Sequence, residues 1–165
     1  MDAVNGYTTG TVTATTLVED YADIVTIQGT TGLSVAATAI TITDSVNKTK
    51  VDTVNGYTTG TVTVNTIADG VADLATVAGT SGISIAAAAI TVTDAASLTN
   101  ANTINAYTTG QVTLNSVQDT RANITSIDGI TTTQVSMAAA AVVVTDAVTN
   151  AQADAINLLT TGQVT

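Results

Sequence analysis

Two hydrophobic periods alternate along this chain. In Thr61-Val62-Thr63-Val64 apolar and polar residues alternate, which puts Val62 and Val64 on one face of a short strand and Thr61 and Thr63 on the other. Ile90-Thr91-Val92-Thr93 has the same pattern and predicts another strand. Between them Ile67, Val71, Leu74 and Val77 recur at helical spacing, predicting a helix over about 67–78. Thr66-Ile67-Ala68-Asp69 carries the hydroxyl-then-acid spacing of a capping box at its start, as do Thr16-Leu17-Val18-Glu19 and Ser116-Val117-Gln118-Asp119. Gly79, with Gly29 and Gly129, stands where a left-handed residue would end the helix. The equivalent stripes are Leu17, Tyr21, Ile24, Ile27 and Val117, Arg121, Ile124, Ile127, the latter interrupted by Arg121, whose stem is expected along the core with its head in solvent.

Thr80-Ser81-Gly82 then signals a turn and Ile83-Ser84-Ile85 a short strand. The Ala-rich segments 36–39, 86–89 and 138–141 suit either a helical turn or close backbone packing. Gly129 to Asp146 is two residues longer than Gly29 to Asp44 or Gly79 to Asp94, and the insertion is expected at the Ala-rich segment, as a surface connection. Asp94, like Asp44 and Asp146, is expected to end its strand and cap a second helix, whose apolar stripe is Leu98, Ala101, Ile104 and Tyr107.

The whole pattern repeats. Asn5-Gly6-Tyr7-Thr8-Thr9-Gly10-Thr11-Val12-Thr13 returns at Asn55, at Asn105 and at Asn157, at spacings of 50, 50 and 52 residues. Such a period is the mark of stacked repeats. The repeats are 1–50, 51–100 and 101–152, with a partial fourth at 153–165. Each reads strand, helix, loop, strand, helix. Strands joined by helical crossovers lie parallel with right-handed connections. The predicted fold is therefore an α/β repeat solenoid, with leucine-rich-repeat-like coils, two strand–helix coils per repeat, one parallel sheet and a layer of short helices. The recurring Asn5, Asn55, Asn105 and Asn157 are read as satisfying backbone groups at turns rather than as ligand-binding amides.

Composition narrows the function. Only four Tyr supply aromatic content, so the core rests on Val, Ile, Leu and Ala. Cys, His and Pro are absent, which removes disulfides, thiolate or imidazole metal ligands, and the usual general base. Thr and Ser are abundant, but no His and only Lys48 and Lys50 stand by to activate them. Glu19 and Asp20 are adjacent and so fall on different helix faces, a poor acid–base pair. No phosphate-loop Lys follows the Gly-rich turns. The chain is read as non-enzymatic and without a cofactor. A net charge of −10 argues against nucleic acid and anionic membranes as partners. No apolar run reaches the length of a membrane span, so no membrane insertion is expected. Calcium has neither an EF-hand nor a Gly/Asp nonapeptide to hold it, and Ca2+ stays without a motif here.

One candidate surface remains. Thr11, Thr13, Thr41, Thr43, Thr61, Thr63, Thr91 and Thr93 are expected on the outward strand face, in two files with strands about 4.8 Å apart. Gln111, Val143 and Gln163 interrupt the array. Such Thr-x-Thr files resemble the ice-binding face of some β-solenoid antifreeze proteins; the plainer explanation is that Thr favours solvated strands.

The segment from Ile90 to Thr113, ITVTDAASLTNANTINAYTTGQVT, resembles the Thr-, Ala- and Val-rich tandem repeats of very large surface or secreted proteins of cyanobacteria and other aquatic bacteria. The likeness covers essentially all of the chain. It implies a cell-surface or extracellular location, a structural or adhesive role and no catalytic residues. On this reading both termini are cuts through a longer array. Self-association is expected end to end, with the last strand near Gln163 against the first near Thr11 of another copy. The expected function is a spacer or scaffold, or a surface layer or filament; the alternative is a module binding ice or a glycan through the threonine array.

Overall fold

The computed structural model describes residues 2–130 and 134–165. In chain order the elements are α1 (Asp2–Asn5), β1 (Val12–Thr13), β2 (Thr16–Glu19), α2 (Tyr21–Gly29), β3 (Leu33–Ser34), β4 (Ala39–Val46), α3 (Lys48–Asn55), β5 (Val62–Asp69) and α4 (Val71–Gly79). They continue as β6 (Ile83–Ser84), β7 (Ala89–Ala96), α5 (Leu98–Asn105), β8 (Val112–Asp119), α6 (Arg121–Asp128), β9 (Val135–Ser136), β10 (Ala141–Val144) and α7 (Asn150–Asn157). The fold is α/β, and its strands pair in parallel, which the helical crossovers between them make possible.

The chain forms two compact units, one running to Ile67 and including Thr76–Ile85, the other made of Ala68–Ala75 and Ala86–Thr165. In the first, β4 lies between β2 and β5, β6 adds to β5, and β1 pairs separately with β3. Leu17 lies opposite Ile40, Ile40 opposite Val62, and Val62 opposite Ile83, so one file of aliphatic side chains crosses the sheet. Ile24 of α2 and Val51 and Val54 of α3 are fully buried beneath it. In the second unit β8 lies between β7 and β10, and β9 adds to β8. Ile90, Val112 and Val135 form the matching file, over Ile104, Ile124 and Ile127 of α5 and α6. Val, Ile, Leu and Ala make up the core together with Met137, in a layer between strands and helices.

Several local expectations need correcting. The residues predicted to open helices, Thr16–Glu19, Thr66–Asp69 and Ser116–Asp119, are strand. A neighbouring strand offers them a full set of backbone partners: Ser45 and Val46 lie opposite Thr66 and Ile67, and Ala95 and Ala96 opposite Ser116 and Val117. That ladder outweighs a local capping pattern. The helices start two residues past it, with Asp20 and Thr120 as N-caps accepting from the N–H groups of Asp23 and Asn123. Arg121 is therefore the first residue of α6 rather than a member of a buried stripe.

The glycines after the first helices are not left-handed; Gly129 has φ −80°. The left-handed positions are Gly32 (φ 86°) and Gly82 (φ 84°), in the turn three residues later. Asp44 and Asp94 lie inside β4 and β7, and the second helices are capped by Asn47, Ser97 and Thr149. Tyr107 falls just past α5, and Tyr7 is almost fully exposed, so the tyrosines do not line the core. Ile83–Ser84 is a strand, as expected.

The Ala-rich segments are tight turns leading into strands. Thr38 N–H donates to Val35 O and Ala140 N–H to Met137 O. The segments align without a gap: Ser34 to Ala39 and Ser136 to Ala141 are both steps of five residues. The two extra residues of the third repeat precede β9, and residues 131–133 of that stretch lie outside the described residues.

Candidate functional site

The predicted threonine array is only partly assembled. In the first unit Thr41 stands beside Thr63, with Val18 and Ser84 completing the file. In the second, Thr91 stands beside Thr113 and then Ser136. Thr13 stands beside Ser34 in the separate pair. Thr11 and Thr61 precede their strands. Thr43 and Thr93 sit where two residues of β4 or β7 oppose one residue of β5 or β8, a bulge without a register partner. So the files contain serines and Thr113, which the Thr-x-Thr pattern did not flag, and Thr41, Thr63 and Thr91 are half-buried rather than exposed.

The bulge has a clear use. It aims Asp44 at the N-terminus of the preceding helix, where its Oδ1 accepts from Tyr21 N–H at 2.9 Å. Asp94 does the same for Val71 (3.0 Å) and Asp146 for Arg121 (2.7 Å). Asp119, at a strand end, accepts from Leu98 N–H at 2.9 Å. Each carboxylate thus reaches back 21 to 25 residues to a first-turn donor that the helix itself cannot satisfy, where the helix dipole favours negative charge. Burial pushes the Asp119 carboxyl up, but hydrogen bonds from Leu98 N–H, the Asn123 amide and Thr120 N–H outweigh it and hold the group below its ordinary range. These recurring acids are linking caps, and among the described residues no cluster of acidic groups could hold a metal ion.

The Thr-Thr-Gly motif is a second link, and its role was not legible from the residues alone. Thr58 is buried; its hydroxyl donates to Thr38 O at 2.6 Å and accepts from Gly60 N–H at 2.9 Å. Thr59 donates both its N–H (2.9 Å) and its hydroxyl (3.1 Å) to Ala36 O. The motif grips the two carbonyls of the Ala-rich turn some twenty residues upstream. Thr108 and Thr109 repeat the grip on Ala88 and Ala86, and Thr160 and Thr161 on Ala140 and Ala138. Glycine ends the motif because the carbonyl passes directly over it. A Cβ on Gly60 or Gly110 would lie 2.3 Å from the oxygen of Thr38 or Ala88, and on Gly162 2.1 Å from that of Ala140. In the first copy Thr8 keeps the local bond from Gly10 N–H at 3.0 Å, but Thr8 is exposed and a Cβ on Gly10 would meet nothing nearer than Thr8 Oγ1 at 3.5 Å.

No family model, curated protein or solved structure matches this chain. What the geometry can do is therefore read from its own parts. A surface cavity of about 270 Å³ in the second unit is lined by Gln111, Asp128, Val135, Ser136, Met137, Ala138 and Leu159. Its polar side chains are Gln111, Asp128 and Ser136. Asp44, Asp94, Asp119, Asp146 and the threonines of the Thr-Thr-Gly motifs bond backbone groups some twenty residues away in sequence. No helix among the described residues is long and apolar enough to cross a membrane.

Proposed function

We propose that this chain is a non-enzymatic structural segment, a run of α/β solenoid coils serving as spacer or scaffold in a bacterial surface or secreted protein. The observation that carries this reading is the threefold grip of Thr58, Thr108 and Thr160 on the carbonyls of Thr38, Ala88 and Ala140. The residues that repeat most faithfully in sequence are spent on joining one coil to the next, as in proteins whose stability is a sum over neighbouring repeats. Coil-on-coil packing makes length the adjustable property. The resemblance to bacterial surface repeats supplies the location and the role, and end-to-end association of copies belongs to the same reading.

Removal of residues 51–100 tests it. The shortened chain, which restores the register of the repeat, folds cooperatively, keeps its circular dichroism per residue and loses hydrodynamic length and denaturant sensitivity in proportion. An unfolded or molten product sinks the modular account.

The adjacency of Thr41 to Thr63 and of Thr91 to Thr113 favours the second reading, a surface that holds ice or a glycan. Thr41→Lys with Thr63→Lys abolishes ice-growth inhibition or glycan retention if that reading holds, and alters neither if the strands are merely solvated.

A further inference from the structure

We infer that Thr8-Thr9-Gly10 is a preformed docking clip for a strand–Ala-Ala-turn–strand segment belonging to another coil of this kind. The inference rests on the repeat reading only for the identity of the occupant. The same three residues stand at the equivalent place of all four copies of the repeated motif, at 8–10, 58–60, 108–110 and 160–162. In three of them the Thr-Thr-Gly turn holds a turn of sequence Val-Ala-Ala-Thr, Ile-Ala-Ala-Ala or Met-Ala-Ala-Ala by the same bonds: first Thr hydroxyl to the later carbonyl, second Thr N–H and hydroxyl to the earlier one. In the fourth the turn is already shaped, since Gly10 N–H donates to Thr8 Oγ1 as in the occupied copies. Thr8 is exposed there, where its counterparts Thr58, Thr108 and Thr160 are buried. Tyr7, just before the clip, is 92% exposed, and its counterparts Tyr57 and Tyr107 are half-buried.

The adjoining strand fits the same occupant. Val62 has a parallel partner on each side, Ile40 and Ile83, whereas Val12 pairs with Leu33 and is half-exposed. Ile40 is the residue that follows the Ala-rich turn gripped by Thr58 and Thr59. One incoming segment of that sequence would therefore fill the clip and add a parallel strand beside Val12, with main-chain bonds giving affinity and the small Ala side chains giving selectivity at a glycine that admits a carbonyl within contact distance. The Ala-rich turns at Ala36, Ala86 and Ala138 are held by the clips at Thr59, Thr109 and Thr161, so the occupant is an Ala-rich turn other than these three.

Isotope-labelled full-length chain is titrated with a synthetic peptide of residues 33–46 and followed by amide NMR. The backbone signals of Thr9, Gly10 and Val12 shift with dose, and exchange of the Thr9 amide slows about tenfold as it gains a carbonyl partner. Gly10→Ala, whose methyl makes only an ordinary van der Waals contact with Thr8 Oγ1 at 3.5 Å in the free chain, leaves the fold and the other signals unchanged and abolishes the response. A peptide response equal in Gly10→Ala, or none at millimolar peptide, overturns the inference. Gly10-dependent self-association of the chain alone, without a peptide response, overturns the assigned occupant in favour of a second copy. Repeat deletion does not touch Gly10, so a failed clip and a failed scaffold reading are separable.

Discussion

Gly110→Ala separates the link between the Thr-Thr-Gly clip and the Ala-rich turn from local turn chemistry. The added methyl carbon would stand 2.3 Å from Ala88 O and 2.7 Å from Ala88 C, both backbone atoms that no rotamer change can move aside. Relief requires the turn at Thr108–Gly110 to draw back by roughly 1 Å, to ordinary van der Waals separation. That stretches three bonds at once: Thr108 Oγ1 to Ala88 O at 2.6 Å, and Thr109 N and Oγ1 to Ala86 O at 2.8 and 3.1 Å. At about 0.5–1.5 kcal/mol net for each bond, the loss is about 2–4 kcal/mol. For a chain of this size that is a fall in Tm of roughly 5–15 °C. Urea unfolding monitored by circular dichroism reads the change directly as a lower midpoint with an unchanged slope. The control is Gly10→Ala, chemically the same substitution in the same motif, which meets only Thr8 Oγ1 at 3.5 Å and should stay within about 0.5 kcal/mol of the parent. If Gly110→Ala were equally silent, or Gly10→Ala equally damaging, the clip would not be a stabilising joint to the Ala-rich turn.

Other substitutions probe the remaining parts. Gly79→Ala, with nothing within 4 Å of the new methyl, should be neutral or raise stability by about 0.5 kcal/mol through helix propensity, whereas Gly82→Ala, at φ 84°, should lose about 1–2 kcal/mol; thermal melts of the pair decide. Ile104→Ala empties a fully buried site of α5 and should cost about 2–5 kcal/mol in a urea titration. Because the Asp119 carboxyl is held low in the folded chain, it contributes stability that is present above its unfolded value of about 3.9 and lost as pH falls through the folded value. Asp119→Asn should flatten that acid limb of a stability–pH curve, and an unchanged limb refutes the assignment.

The α/β alternation, the parallel pairing and the aliphatic files were legible because they rest on periodicity, which survives without tertiary knowledge: Val62, Val64, Ile90 and Val92 all point inward as their spacing requires. Helix starts were misplaced because Thr66-Ile67-Ala68-Asp69 satisfies a capping pattern and a strand equally well, and only the presence of Ser45 and Val46 opposite decides. The acids were recognised as caps but assigned to the wrong helix. Asp94 caps a helix 23 residues back rather than the one that follows, a choice that depends on how strands stack. Threonine files were overcounted for the same reason, since strict alternation through Thr43 ignores the bulge that turns Asp44 toward Tyr21.

The sequence period and the structural step are different lengths, and the difference follows from the links. Identity recurs every 50 residues, yet Leu17 to Ile40 and Ile40 to Val62 are steps of 23 and 22, and Ile90 to Val112 and Val112 to Val135 steps of 22 and 23. Each 50-residue repeat of the sequence therefore carries two long strands with unlike joints. One, β4 or β7, follows the Ala-rich turn and is bulged; the next, β5 or β8, follows the Thr-Thr-Gly clip and is regular. A clip can grip only a turn, and the bulged strand's two residues need a single residue opposite, Asn65 against Thr43 and Asp44. Two strands of the same type set side by side would offer clip to clip or bulge to bulge and leave the Ala-turn carbonyls without donors. On the proposed solenoid reading this alternation fixes which coil follows which, and a slip of one coil costs the whole set of bonds that a slip of two preserves. Removal of residues 51–75 alone should accordingly be far more damaging than removal of 51–100, because it sets the Ala-rich turn at Ala36–Thr38 against the Ala-rich turn at Ala86–Ala88 instead of a clip. Comparable urea midpoints for the two deletions would show that the coils are interchangeable and that the joints do not set their order.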